Sequence, residues 1–134
     1  MIKTIKTKEN EQLGIIIPSI SKNLDPIKFF TQDSDDIQVG IINRPNGHLI
    51  EPHFHLNNER KLNSTSEVLI ILEGELKVNF YDFKMEFVQS EIIKTGDVLV
   101  LFSGGHGFEI LQKTKMIEVK QGPYMGELDK TKLS

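Results

Sequence analysis

Three of the four histidines sit where they could share one ion: His53 and His55 flank Phe54 after Pro52, and His106 stands within Gly104-Gly105-His106-Gly107. On a strand, side chains two residues apart project to the same face, so the imidazoles of His53 and His55 could approach a common centre. Zinc, iron, copper and nickel all accept imidazole nitrogen, while a carboxylate adds a harder oxygen ligand and offsets part of the charge. Two carboxylates compete for that place. Glu67 stands before Gly74 with six residues between them, and Glu51 shares strand parity with the histidine pair. A third imidazole has to come from a distant strand, and His106 is the candidate. His48 has the opposite parity and is assigned no role. A lone His-x-His pair is more often a surface pair than a metal site. Glu67 could equally cap a strand or pair with Arg60 or Lys61. Only the combination points to a metal, because buried ionisable groups without partners are costly.

The elements that must position these side chains read as strands. From Asp36 onward, short apolar runs rich in β-branched residues are divided by turn residues, without sustained helical periodicity. Ile37 to Ile42 ends at the turn Arg44-Pro45-Asn46-Gly47, and His48 to His55 is expected as the strand bearing the paired histidines. Val68 to Leu72 is continuously apolar, as for a strand buried on both faces. Glu73-Gly74 is expected to turn the chain into a hairpin, whose second strand alternates Leu76, Val78 and Phe80 with Lys77, Asn79 and Tyr81. Met85 to Ile93, Val98 to Phe102 and Met116 to Val119 complete the pattern, with Phe108 and Ile110 sharing parity with His106. About eight near-regular strands indicate an all-β sandwich or barrel. Before residue 36 the chain is less patterned: Leu13 to Ile17 fits an edge strand, Asp25-Pro26 a helix or turn start, and Phe29-Phe30 a plug for one barrel end.

Composition limits the chemistry. A chain of 134 residues is one ordinary domain. It has no cysteine, so disulfides, thiolate zinc sites, cysteine nucleophiles and protein-held iron-sulfur clusters are excluded, and a metal would need nitrogen and oxygen ligands. The net charge of −3, from 16 basic and 19 acidic residues without long runs, marks neither a nucleic-acid nor an anionic-membrane surface. The expected partner is a small molecule. The apolar runs are too short to span a bilayer and the first residues lack a signal-peptide core, so the cytoplasm is the default compartment. The glycines around His106 lack the lysine and strand-to-helix setting of a phosphate loop, and no nucleophile elbow or ordered triad occurs.

Taken together, Gly47, His53, His55, Glu67 and Gly74 resemble the first motif of the cupin superfamily, and Gly96 with His106 resembles its second, over roughly residues 36 to 121. The resemblance favours Glu67 over Glu51. Two departures stand out. Eleven residues, Leu56 to Ser66, separate His55 from Glu67, where the family gap is far shorter; an inserted loop accounts for this. The second motif's proline and final asparagine are missing, and Ser103-Gly104-Gly105 forms the turn instead. The ending Glu118-Val119-Lys120-Gln121-Gly122-Pro123-Tyr124 is similar to one branch of small single-domain cupins, some encoded near polysaccharide genes.

This resemblance implies a cupin-type double-stranded β-helix, or jelly-roll barrel, over residues 36–124. Residues 1–35 would pack on the barrel and serve as a candidate dimer arm, with a polar tail over 125–134. It implies one divalent transition metal (Fe, Mn, Ni, Cu or Zn) held by His53, His55, Glu67 and His106. Two functions follow as expectations. One is a metal-dependent enzyme acting on a small polar, sugar-related substrate. The other is a non-catalytic small-ligand or carbohydrate-binding cupin with a structural metal or none, favoured by the lack of a general base apart from the ligands. Tyr124 and Arg60 could reach the barrel mouth but fit surface positions better. Homodimerisation by edge pairing or exchange of N-terminal segments is expected, with residues 11–18 contributing.

Overall fold

The structure is a computed structural model that describes residues 1–18 and 22–133. It is all-β: β1 (Lys3–Lys6), β2 (Gln12–Ile17), β3 (Ile27–Phe29), β4 (Gly40–Ile42), β5 (Glu67–Tyr81), β6 (Phe87–Lys94), β7 (Val98–Leu101) and β8 (Gly105–Lys120), followed by a single 3-10 turn, Gly126–Leu128. The expected segments 1–35 and 125–134 include residues 19–21 and 134, which lie outside the described residues.

β5 is the spine. On one side its first residues pair with β7 and its later ones with β6, while β8 runs antiparallel along the other side of almost the whole strand. Beyond β7 the sheet continues through β2 to β1. Of the two unbroken apolar runs, Val98 to Phe102 is buried throughout, whereas in Val68 to Leu72 only Val68, Leu69 and Ile71 are buried, Ile70 is half-buried and Leu72 is exposed. Alternate residues feed two clusters on opposite faces. Leu69, Leu99 and Leu101 join Ile5, Leu13 and Ile71 in the larger one, and Val68, Val98 and Val100 join Ile15, Ile17 and Phe102 in the smaller. Phe30, Ile37 and Val39, around the β3–β4 hairpin, pack against the smaller cluster, so of the expected Phe29-Phe30 plug Phe30 covers a sheet face while Phe29 is exposed.

Gly74 does not turn the chain back. It sits inside β5 at φ +110°, where the register against β8 shifts repeatedly between Ile71 and Leu76. Its N–H donates to Thr95 Oγ1 at 3.0 Å and its carbonyl accepts from Thr95 N–H at 3.1 Å, while an added Cβ would run into Lys113 O and Thr114. The result is a bulge, which turnlike glycine signals resemble because both need positive φ. The bulge resets parity. Leu69 and Ile71 precede it at odd positions, Leu76, Val78 and Phe80 follow at even ones, yet all five enter the same core cluster.

The sheet therefore curls into an antiparallel half-barrel. Lys3 of the outer strand β1 reaches Glu91 of β6 at 2.6 Å, linking the two ends of the sheet. β2 is enclosed by β1 and β7, so residues 11–18 do not offer the edge expected of them. The predicted strand over 48–55 does not form. The whole stretch from 43 to 66 lacks strand structure, and Leu49, Ile50, Phe54 and Leu56 are exposed. Pro52 falls in the middle of it and removes a ladder donor, so an alternating pattern alone does not secure a partner.

Candidate functional site

Cross-strand partners share a face, which places the inward-facing groups of the ribbon formed by β5 and β8. Glu67 has the parity of Leu69, and His106 pairs with Phe80, so both face the larger core cluster. Phe80 lies thirteen residues along β5 from Glu67; a straight strand would separate the two by about 43 Å. Instead Glu67 Oε2 and His106 Nε2 are 3.6 Å apart, both side chains largely sheltered. Curling at the Gly74 bulge brings the ends of the ribbon together.

This separation is too long for a hydrogen bond. Ligand atoms about 2.1 Å from a common ion stand about 3 to 3.5 Å from one another, so the spacing suits two neighbours in a coordination sphere. Burial pushes the Glu67 carboxyl above its ordinary value, assisted by a hydrogen bond with Glu118 and that residue's charge, against the opposing pull of Lys120 and Lys130. Burial also holds the His106 imidazole below its usual range; Glu118 opposes this and Lys130 adds to it. Both shifts favour neutral forms, so the contact is not a strong ion pair despite its distance. The His106 ring leans on Phe108, with centroids 5.5 Å apart.

His53 and His55 also stand together, with ring centroids 5.3 Å apart in an edge-to-face arrangement, but on the exposed 43–66 stretch. His53 Nδ1 lies 2.7 Å from the Glu51 carbonyl. A carbonyl only accepts, so Nδ1 carries a proton in this contact, and Nε2 is the ring atom left for a ligand role. The structure thus assembles the four predicted residues as two pairs and does not join the pairs. Among the described residues, no three His, Asp or Glu side chains stand as a ready metal-binding group. Glu51, His48, Arg60 and Lys61 are exposed, and the charged neighbours of Glu67 are His106, Glu118, Lys120 and Lys130.

Glu118 was not singled out from the sequence. On β8 it pairs with Leu69 of β5, on the face that Glu67 shares, although its own side chain is exposed; this position is visible only once β8 is known to pair with β5. The chain after β8 folds back toward this end: Gln121 Oε1 accepts from Ser66 N–H at 2.7 Å, Lys120 Nζ lies 3.8 Å from Asp129, and it sits 5.8 Å from the Tyr124 ring centroid. Two clefts elsewhere, of about 460 and 290 Å³, contain none of the four predicted residues; the larger is lined by Ile17, Lys22, Lys28 and Phe30 and has no carboxylate or imidazole. No family model matches the chain, and neither the curated proteins nor the solved structures compared with it give a match. No helix among the described residues is long and apolar enough to cross a membrane.

Proposed function

We propose that the chain is a metal-binding cupin in which Glu67, His106, His53 and His55 hold one divalent transition metal, and that it acts as an enzyme on a small polar molecule, with sugars the first class to test. The observation that carries this reading is the 3.6 Å approach of Glu67 to His106 from opposite ends of one ribbon. Burial strips hydration from both side chains, and a cation between them would replace what they have lost.

On this reading the jelly roll is completed when the 43–66 stretch folds over the open side of the half-barrel and carries His53 and His55 to the ion. Supporting this, Leu49, Ile50, Phe54 and Leu56 are all exposed on that stretch, and Phe108 and Met116 lie only partly buried against the core. Apolar groups gathered in this way gain by covering one another. An ion with four protein ligands retains about two open positions when six-coordinate, enough to polarise a substrate carbonyl or bind a diol. A dimer formed by exchange of N-terminal segments fits the same reading.

The test is metal content by mass spectrometry on protein purified without a histidine tag or chelator, followed by turnover of candidate sugars and 1,2-diols with and without chelator. One equivalent of a divalent ion and chelator-sensitive turnover are expected. Metal-free protein that binds a sugar unchanged would overturn the enzyme reading in favour of a binding module.

A further inference from the structure

We propose that the outer edge of β8 pairs with the same edge of a second copy of this chain, antiparallel about a two-fold axis at Gln112, so that two half-barrels share one continuous sheet. β8 is a 16-residue strand with β5 on one side and, among the described residues, no strand on the other. None of its residues is buried, and Ile110, Leu111, Ile117 and Val119 are exposed along it. A long open ladder carrying apolar side chains is a template for another strand. Other edges are better guarded. β2, within the span expected to offer the dimer contact, is enclosed by β1 and β7, and Lys3 of the short strand β1 is drawn to Glu91 of β6.

The order of residues along β8 selects the occupant. With the axis at Gln112, residues equally far from it on either side become direct neighbours across the two copies. Phe108 then meets Met116, both of which pack on the larger core, and Glu109 meets Lys115. His106 meets Glu118. Each contact occurs twice by symmetry. An axis normal to the sheet keeps every residue on its own face and leaves both copies curling the same way, so the bend at Gly74 does not part the edges. Glu109 has capacity for the new contact: Lys77 at 3.0 Å and Asn79 at 2.9 Å both use its Oε2, which leaves Oε1 for a further donor. Lys115 makes no ion pair among the described residues. Neighbouring registers fit less well, since like charges directly opposite one another destabilise a pair of strands. An axis at Lys113 brings that lysine against its own copy, and one at Thr114 sets Lys113 opposite Lys115. An axis at Leu111 keeps an opposite-charge pair, Glu109 with Lys113, but puts Phe108 against Thr114. The chain's own 43–66 stretch is a poorer occupant of the edge, because Pro52 lacks a ladder donor. Pairing at the edge leaves the open face of the half-barrel to that stretch, so the dimer stands with or without a bound metal.

The experiment uses the full chain in the presence of chelator. Sedimentation equilibrium should show a wild-type dimer. Lys115→Glu sets two like-charged pairs across the axis and should raise the dimer dissociation constant about tenfold or more; exchanging the charges in Glu109→Lys/Lys115→Glu should recover part of that loss. The chain has no cysteine, so Gln112→Cys reports the register: its two thiols meet at the axis and should form an intermolecular disulfide under mild oxidation. The thiols of Ile117→Cys, about 33 Å apart at a rise of about 3.3 Å per residue, should not. Gln112 and Ile117 are exposed, so both substitutions spare the core and decide the matter even if Lys115→Glu fails to fold. A monomeric wild type would overturn the proposal, and so would a wild-type dissociation constant in a folded Lys115→Glu. A dimer in which Gln112→Cys does not crosslink, or in which Ile117→Cys crosslinks equally well, would overturn it too. None of these outcomes bears on the metal-binding reading, which is tested by metal content.

Discussion

Glu67 and His106 are placed by a long ladder of backbone pairs between β5 and β8, backed by Phe80 and Leu69 in the core; on an exposed stretch, His53 is held by one short hydrogen bond to the Glu51 carbonyl and His55 meets it ring to ring. Both pairs bring candidate ligands close together. Only the first is tied to the global fold, so damage to the core should scatter it, whereas the second should respond to nothing beyond its own few residues. A site assembled from the two has a rigid half and an adaptable half.

Core truncation tests the rigid half most severely. Phe80→Ala removes a ring that is 1% exposed and directly opposite His106, and should cost about 3–5 kcal/mol by denaturant unfolding. The matching change on the adaptable half, Phe54→Ala, removes a ring that is 86% exposed and should stay within about 0.5 kcal/mol. Equal losses would show that the 43–66 stretch is packed as firmly as the ribbon. Next in size is Gly74→Ala, which places a Cβ against Lys113 and Thr114 at positive φ and should cost about 1–3 kcal/mol while weakening metal binding through the lost bend.

A smaller effect of opposite sign is expected from Glu67→Gln. The folded state raises the Glu67 value, so this group's stabilisation is complete below the ordinary carboxyl range of about 4.3 and is lost as pH rises through the raised value. His106 is depressed, so its stabilisation is complete above about 6.5 and is lost as pH falls through the lowered value. In metal-free protein near pH 7, Glu67→Gln should therefore raise the melting temperature, and that gain should shrink as pH falls through the raised value. A lower melting temperature at pH 7 would show that the carboxylate is already compensated. Lys3→Ala, at the ion pair linking β1 to β6, should cost about 0.2–1 kcal/mol and respond to salt. Smallest for folding is His53→Ala/His55→Ala, within about 0.5 kcal/mol. The same double variant should nonetheless lose about tenfold or more in metal affinity. Wild-type affinity should itself fall as pH drops through roughly 6.5, since imidazole ligands must be neutral.

Much of the frame was legible because burial leaves a direct imprint on composition. Val98 to Phe102 and Val68 to Leu72 could be assigned to strands from unbroken apolarity, and Leu76, Val78 and Phe80 from alternation. The Gly74 bulge was misread as a turn: positive φ is common to both, and what distinguishes them is whether the strand finds the same neighbour on either side, which here is β8. The histidine strand failed for the complementary reason. Its parity was visible, but Pro52 and the polar residues around it leave no partner ladder, so alternation carried no consequence. Glu67 and His106 were selected individually from motif spacing, while Glu118 escaped notice because its place depends on register with Leu69, a relation between residues far apart in the chain.

The curled ribbon also dictates an order of events. Its second rail, β8, follows β6 and β7, which pair in turn with the later and earlier parts of β5, so a chain halted between residues 67 and 105 possesses the acid at position 67 but not the imidazole that meets it. Assembly of the sheltered pair must wait for synthesis to pass that point, so the two candidate ligands that the ladder holds most firmly are also late to meet.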